Sequence, residues 1–200
     1  MGGELRNTEL YKNNSYKLLD DNNLLKLPID LDKLAEQLGI DVQYKLLSDD
    51  VSGRIDYHKK DDSVEIKINI NEFKLRQRFT LAHEIAHFIY DIDFNKEFKI
   101  EDNKLTLYRN EGIDPIEIRA NKFAEKLLMP KELFIEKLIE IKNELFPGDS
   151  NRIGVPKIYR IVEGLSKKFN VSKPAIIVRL SSIGAIERNT KNSLFEYHKL

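Results

Sequence analysis

Residues 63–90 read SVEIKININEFKLRQRFTLAHEIAHFIY, and the two halves of this run keep different periods. In the first half Val64, Ile66, Ile68 and Ile70 alternate with Glu65, Lys67 and Asn69. A period of two sends alternate side chains to opposite faces of a pleated strand, so this half predicts a half-buried strand. From Glu72 the period lengthens. Leu75, Phe79, Ala82, Ala86 and Ile89 recur at helical spacing and form one apolar stripe. Leu81, Ile85 and Phe88 add a second apolar face. A helix apolar over so much of its circumference belongs in the middle of a domain. The strip left over carries Arg76, Thr80, His83 and His87. A strand running straight into a buried helix predicts an α+β fold, with a small twisted sheet packed against that helix.

Upstream, the stretch to about Asn23 is polar and holds one predicted helix. Asp30 can cap a helix with Leu31, Leu34, Ala35 and Leu38 on its apolar side, and Gly39 stops it. Ile40, Val42, Tyr44 and Leu46 then alternate as a strand should. A second strand covers Val51 to Tyr57, with Gly53 inside it. Downstream, Asp91 to Gly112 is charged and reads as an irregular excursion, with a hairpin around Leu105 to Tyr108. Asp114-Pro115 opens a helix that ends at Met129-Pro130, with proline at the first helical position. Another helix runs to about Leu145. Pro147-Gly148 marks a boundary between residues 1–148 and a mostly helical segment, 149–200. That segment holds two helices, Pro156 to Phe169 and Ser172 to Ser182, closed by Gly184.

Composition narrows the function. Lys+Arg and Asp+Glu number 33 each in 200 residues, so the net charge is zero. That gives no global electrostatic footprint for nucleic acid or an anionic membrane. There is no cysteine, which excludes disulfides and thiolate metal sites. There is no apolar run of transmembrane length and no apolar signal core at the N-terminus. The default location is the cytoplasm.

His83 and His87 stand four apart on the predicted helix, so both imidazoles lie on one face, one turn apart, and can reach one ion. With Glu84 they form the run His83-Glu84-Ile85-Ala86-His87. In zinc hydrolases with this arrangement the glutamate does not bind metal. It takes a proton from water and hands it to the leaving amine. Two histidines leave such a site one protein ligand short. Glu117 is a candidate, followed at spacings of three, four and seven by Ala120, Asn121 and Ala124. The alanines let this helix approach the histidine helix closely. Local sequence supports a second role equally well. Asp114-Pro115-Ile116-Glu117 is also a capping-box pattern, in which Glu117 bonds only the backbone. Tyr57, Tyr90 and Tyr108 are candidate oxyanion donors that spacing does not separate. His58 and His198 read as surface residues.

The run Arg78-Phe79-Thr80-Leu81-Ala82-His83-Glu84-Ile85-Ala86-His87 resembles the active-site helix of the ImmA/IrrE family of metallopeptidases. The run Glu117-Ile118-Arg119-Ala120-Asn121-Lys122-Phe123-Ala124-Glu125-Lys126-Leu127-Leu128-Met129-Pro130 resembles that family's second block. The likeness extends over roughly Leu27 to Gly184. It implies one zinc ion held by His83, His87 and Glu117, with Glu84 as general base. It also implies Asn121 as a residue orienting a zinc histidine, and a helix-turn-helix transcriptional repressor as substrate. Arg119 departs from the family pattern, where acidic or neutral residues are common.

Two other readings compete. The last two helices have the outline of a helix-turn-helix, which would make the chain a DNA-binding regulator. The second of them offers only Lys173 and Arg179 as basic residues beside Ile176, Ile177, Val178 and Leu180. It is too apolar for a recognition helix, so no direct nucleic-acid contact and no membrane contact are expected. The third reading is a zinc-dependent sensor or antitoxin that binds without cleaving. If a peptide substrate adds as a strand, the expected edge is Val64, Ile66, Ile68 and Ile70.

Overall fold

A computed structural model describes residues 8–94, 96–103, 114–148, 155–189 and 194–197. The fold is α+β, and the chain divides into two compact units, Met1–Leu128 and Met129–Leu200. The division falls between Leu128 and Met129.

In the first unit a short 3-10 helix (Thr8–Tyr11) and α1 (Ser15–Asp21) precede α2 (Leu31–Gln37). Asp30 caps α2 as its sequence predicts, its carboxylate accepting the Lys33 N–H at 3.0 Å. Gly39, at φ +72°, turns the chain out of the helix. The sheet follows, with β1 (Ile40–Lys45), β2 (Val51–His58), β3 (Ser63–Asn69) and, after α3 (Lys74–Tyr90), β4 (Phe98–Asn103). Its order is β1-β3-β2-β4, with β3 parallel to β1 and antiparallel to β2.

This topology corrects the expected substrate edge. Val64, Ile66 and Ile68 belong to β3, whose backbone is paired on both sides, and Ile70 lies just beyond it. No backbone groups are left there for a peptide to pair with. Among the described residues the sheet is bounded by β1 and β4. The alternation itself holds, because Val64, Ile66 and Ile68 are buried opposite Tyr57, Ile55 and Gly53. The other face is charged: Arg54 pairs with Asp56 at 2.8 Å, and Lys67 lies 3.6 Å from Asp56.

α3 packs on β2, β3, α2 and α4 (Pro115–Leu128). Leu81, Ala82, Ile85, Ala86, Phe88 and Ile89 are all buried, which satisfies the two apolar faces read from sequence. Leu75, placed in the stripe, is exposed near the helix start. β4 occupies part of the stretch expected to be irregular. The hairpin expected at Leu105–Tyr108 lies outside the described residues, as do Tyr108 and His198.

The second unit holds α5 (Lys131–Leu145), α6 (Val155–Phe169), α7 (Lys173–Ser182) and a hairpin of β5 (Ile186–Asn189) and β6 (Leu194–Tyr197). Phe134 and Phe169 pack at 5.2 Å in its core. Ser172 caps α7 through the Ala175 N–H. Arg179, one of the two basic residues on α7, is buried with its guanidinium 6.0 Å from the Phe134 ring. The exposed positions of α7 are Lys173, Pro174, Val178, Ser181 and Ser182.

Candidate metal centre

His83, Glu84 and His87 are all fully buried in α3. The four-residue spacing sets the two imidazoles one turn apart and edge to face, with ring centroids at 4.7 Å and Nε2 atoms at 2.9 Å. α4 brings the third group. Ala120 and Ala124, buried where the two helices meet, let α4 approach, and Glu117 one turn earlier reaches the histidines. Glu117 Oε2 stands 3.0 Å from His83 Nε2 and Oε1 stands 3.5 Å from His87 Nε2. Asp114 carries the cap, accepting the Ile116 N–H at 2.9 Å. Glu117 thus faces the histidines, as a ligand role would require. Among the described residues these three form the one group of His, Asp or Glu side chains whose donor atoms, within 4.8 Å of one another, could hold a metal ion.

The far nitrogens fix how the rings present themselves. His83 Nδ1 lies 2.9 Å from Asn121 Oδ1, and His87 Nδ1 lies 2.8 Å from Asp91 Oδ2. Both partners are acceptors, so each Nδ1 carries the proton and donates. In a neutral ring that leaves Nε2 as a lone pair. Two lone pairs then face each other at 2.9 Å with a carboxylate beside them. Such a convergence is repulsive unless a proton or a metal cation sits among the three groups. The donor set thus fits a metal ion, with two imidazole nitrogens and one carboxylate oxygen as for a catalytic zinc with an open position. The same proximity acts on Glu117. Burial works to raise its pKa, but when the imidazoles are protonated at Nε2 their hydrogen bonds, from His83 and then His87, outweigh burial and hold the carboxyl well below the usual carboxylate range.

Asn121, expected from the family likeness to orient a histidine, lies within hydrogen-bond distance of His83 Nδ1. Asp91 was not singled out in the sequence. It lies four residues after His87, which puts it on the same helical face, and that spacing was a readable signal. Arg119, the departure from the family pattern, forms an ion pair with Asp91 and lies 4.8 Å over the Tyr90 ring. No local pattern announces that contact, because it joins two helices. Of the candidate tyrosines among the described residues, Tyr57 and Tyr90 bond elsewhere. The Tyr57 hydroxyl donates to Asp62 at 2.9 Å, and the Tyr90 hydroxyl accepts the Asn13 N–H at 2.7 Å. His58 is exposed at the end of β2.

A curated protein of Flavobacterium psychrophilum, named a putative cysteine ligase BshC, is 33% identical over 135 residues. Those residues are 66% of this chain but 23% of that protein, so the chain spans less than a quarter of its relative's length. The model of the Peptidase_M78 family, described as an IrrE N-terminal-like domain, matches residues 35–181, a span that includes β1, α3, α4 and every residue of the metal centre. The chain belongs to this family of metallopeptidases.

Proposed function

We propose that this chain is a zinc-dependent endopeptidase whose substrate is a helix-turn-helix transcriptional repressor. His83, His87 and Glu117 would hold one zinc ion, and Glu84 would be the general base. The observation that carries the reading is the convergence of two buried imidazole lone pairs and a carboxylate, with both far nitrogens pinned by acceptors. When bound, zinc polarises the peptide carbonyl and lowers the pKa of a water to about 7. Asn121 and Asp91 keep the imidazole protons on Nδ1. Glu84, buried beside the two histidines, takes a proton on its carboxylate and passes it to the leaving nitrogen. The repressor as substrate rests on the family likeness.

A peptide adding as a strand needs a free edge. β4 is the edge that adjoins β2, and β2 carries Gly53 against Glu84. β1 is separated from β2 by β3. We therefore assign the substrate edge to β4. The DNA-binding alternative is disfavoured by α7, whose Arg179 is turned inward and whose exposed face keeps one basic residue, Lys173. No helix among the described residues is long and apolar enough to cross a membrane. The ligase named for the flavobacterial relative is not carried over, because less than a quarter of that protein is matched.

The test uses the purified chain, Glu84→Gln, and a repressor encoded beside its gene. The wild type should carry about one zinc per chain, as expected for a single structural or catalytic site, and should cut the repressor. Glu84→Gln should keep the zinc and lose the cut, since the amide is nearly isosteric and cannot accept the proton. Cleavage by Glu84→Gln at the wild-type rate would refute the mechanism. Zinc-dependent binding without cleavage by the wild type would favour the sensor reading instead.

A further inference from the structure

Gly53 sits within β2, opposite Ile68 of β3 and Asp102 of β4. It shares the buried face of β2 with Ile55 and Tyr57, the face turned to α3. A Cβ on this residue would lie 2.4 Å from Thr80 Cγ2, 2.7 Å from Glu84 Oε1 and 3.4 Å from the Lys67 carbonyl oxygen. The first two distances are shorter than real Cβ contacts allow. The need for glycine here is one of space, and glycine inside a strand often marks such a close approach.

The two crowded groups differ in how they can respond. Thr80 is β-branched, and its methyl has few rotamers open to it within a helix. Glu84 ends in a carboxylate on a longer chain, one helical turn further on. Both are fully buried, so neither has solvent to move into. The β2–β4 register also shifts between Val51 and Gly53. Irregularities of this kind re-aim a strand, and they are common beside active sites.

We propose that Gly53 is a positioning residue for Glu84. Its missing side chain leaves a notch in β2 that receives the Glu84 carboxylate and fixes where that carboxylate stands relative to His83 and His87. The proposal rests on Glu84 being the proton acceptor. A methyl group at Gly53 pushes the carboxylate out of place while leaving His83, His87 and Glu117, which lie on α3 and α4, in position. A glycine needed only for helix-on-sheet packing would act differently, since relief of the Thr80 contact would then restore everything.

The experiment compares the full chain with Gly53→Ala, Gly53→Ala/Thr80→Ser and Glu84→Gln. Serine removes the Thr80 methyl but leaves the Glu84 contact. Each protein is loaded with cobalt(II), whose visible absorption spectrum shifts with pH when a carboxylate beside the metal controls proton loss. Metal-free samples are melted in parallel. Gly53→Ala should melt lower than wild type, and Thr80→Ser should recover most of that loss. Cobalt dissociation in both glycine variants should stay within about tenfold of wild type, at or below the smallest effect of losing a ligand-orienting partner. The pH midpoint of the spectrum should move in both variants to that of Glu84→Gln. A wild-type midpoint in Gly53→Ala overturns the proposal, as does a midpoint that recovers together with the melt. Failure of the wild type to bind cobalt or zinc would instead bring down the metal-site reading. A wild-type midpoint in Glu84→Gln would remove the role of Glu84, and that of Gly53 with it.

Discussion

Glu117 and Asp91 bear on the metal in different ways, and their substitutions separate the two. Glu117 faces both Nε2 atoms, so its oxygens are candidate donors. In Glu117→Gln a neutral amide replaces an anionic donor, and the site drops to two protein ligands. Zinc dissociation measured by chelator competition should rise by orders of magnitude, while far-UV circular dichroism keeps the helical signal. Near-equal affinities would place the ligand elsewhere. Asp91 reaches the candidate site only through Nδ1 of His87, its other oxygen pairing with Arg119. Asp91→Ala frees that ring to rotate and to shift its proton to Nε2. Zinc affinity should weaken by about 10–100-fold, the usual cost of losing a partner that orients a histidine ligand. Asp91→Asn should lose less, since the amide oxygen still accepts the Nδ1–H. Equal losses in the two variants would show that the negative charge matters and the orientation does not.

The strand-to-helix run at residues 63–90 was legible because both of its periods are long and unbroken, and because α3 carries its ligands on an otherwise apolar cylinder. The order of the sheet was not legible. Alternation places Val64, Ile66 and Ile68 on the inner face but says nothing of which strands flank them, so β3 was read as an edge when β1 and β2 cover it. β4 escaped notice because Phe98 and Ile100 alternate with charge over only six residues, inside a segment dominated by charge. The hairpin of β5 and β6 was missed for a similar reason, its strands being four residues each. The Gly53–Glu84 approach depends on sheet register and helix docking together. The packing of α3 on α4 gives a test at this scale. Ala124 is fully buried, seven residues after Glu117 and on the same side of α4. Ala124→Leu forces the helices apart, at a cost of about 1–3 kcal/mol for overpacking. It should also weaken zinc binding without touching any ligand, because Glu117 moves back with its helix. A lower melting temperature with unchanged zinc affinity would mean that α4 adjusts without displacing Glu117.

At the scale of the molecule, His83, His87, Glu117, Asn121, Asp91 and Glu84 all belong to the unit Met1–Leu128. A bound ion ties α3 to α4 and is lost when they separate, so it stabilises only the folded state. Zinc at a hundredfold above its dissociation constant contributes about 2.7 kcal/mol. For a chain of this length that raises the melting temperature by about 5–10 °C. Calorimetry with and without chelator should show the shift, and His83→Ala should abolish it. A shift that survives in His83→Ala would mean that the ion binds somewhere else.

The tight turn at Lys59–Asp62 has a consequence for how the protein forms and how long it lasts. It joins β2 directly to β3, so His58 meets Ser63 across a connection of a few residues. Local hairpins of this kind close in about 1–10 μs. The candidate metal donors are scattered from residue 83 to residue 117 on two helices, and they meet only after those helices dock. With the hairpin formed before the barrier and the site completed after it, the two would divide the kinetics between them. Interactions absent from the transition state act on unfolding rather than on folding. Metal supply should therefore govern the lifetime of each folded copy and leave the speed of its formation untouched.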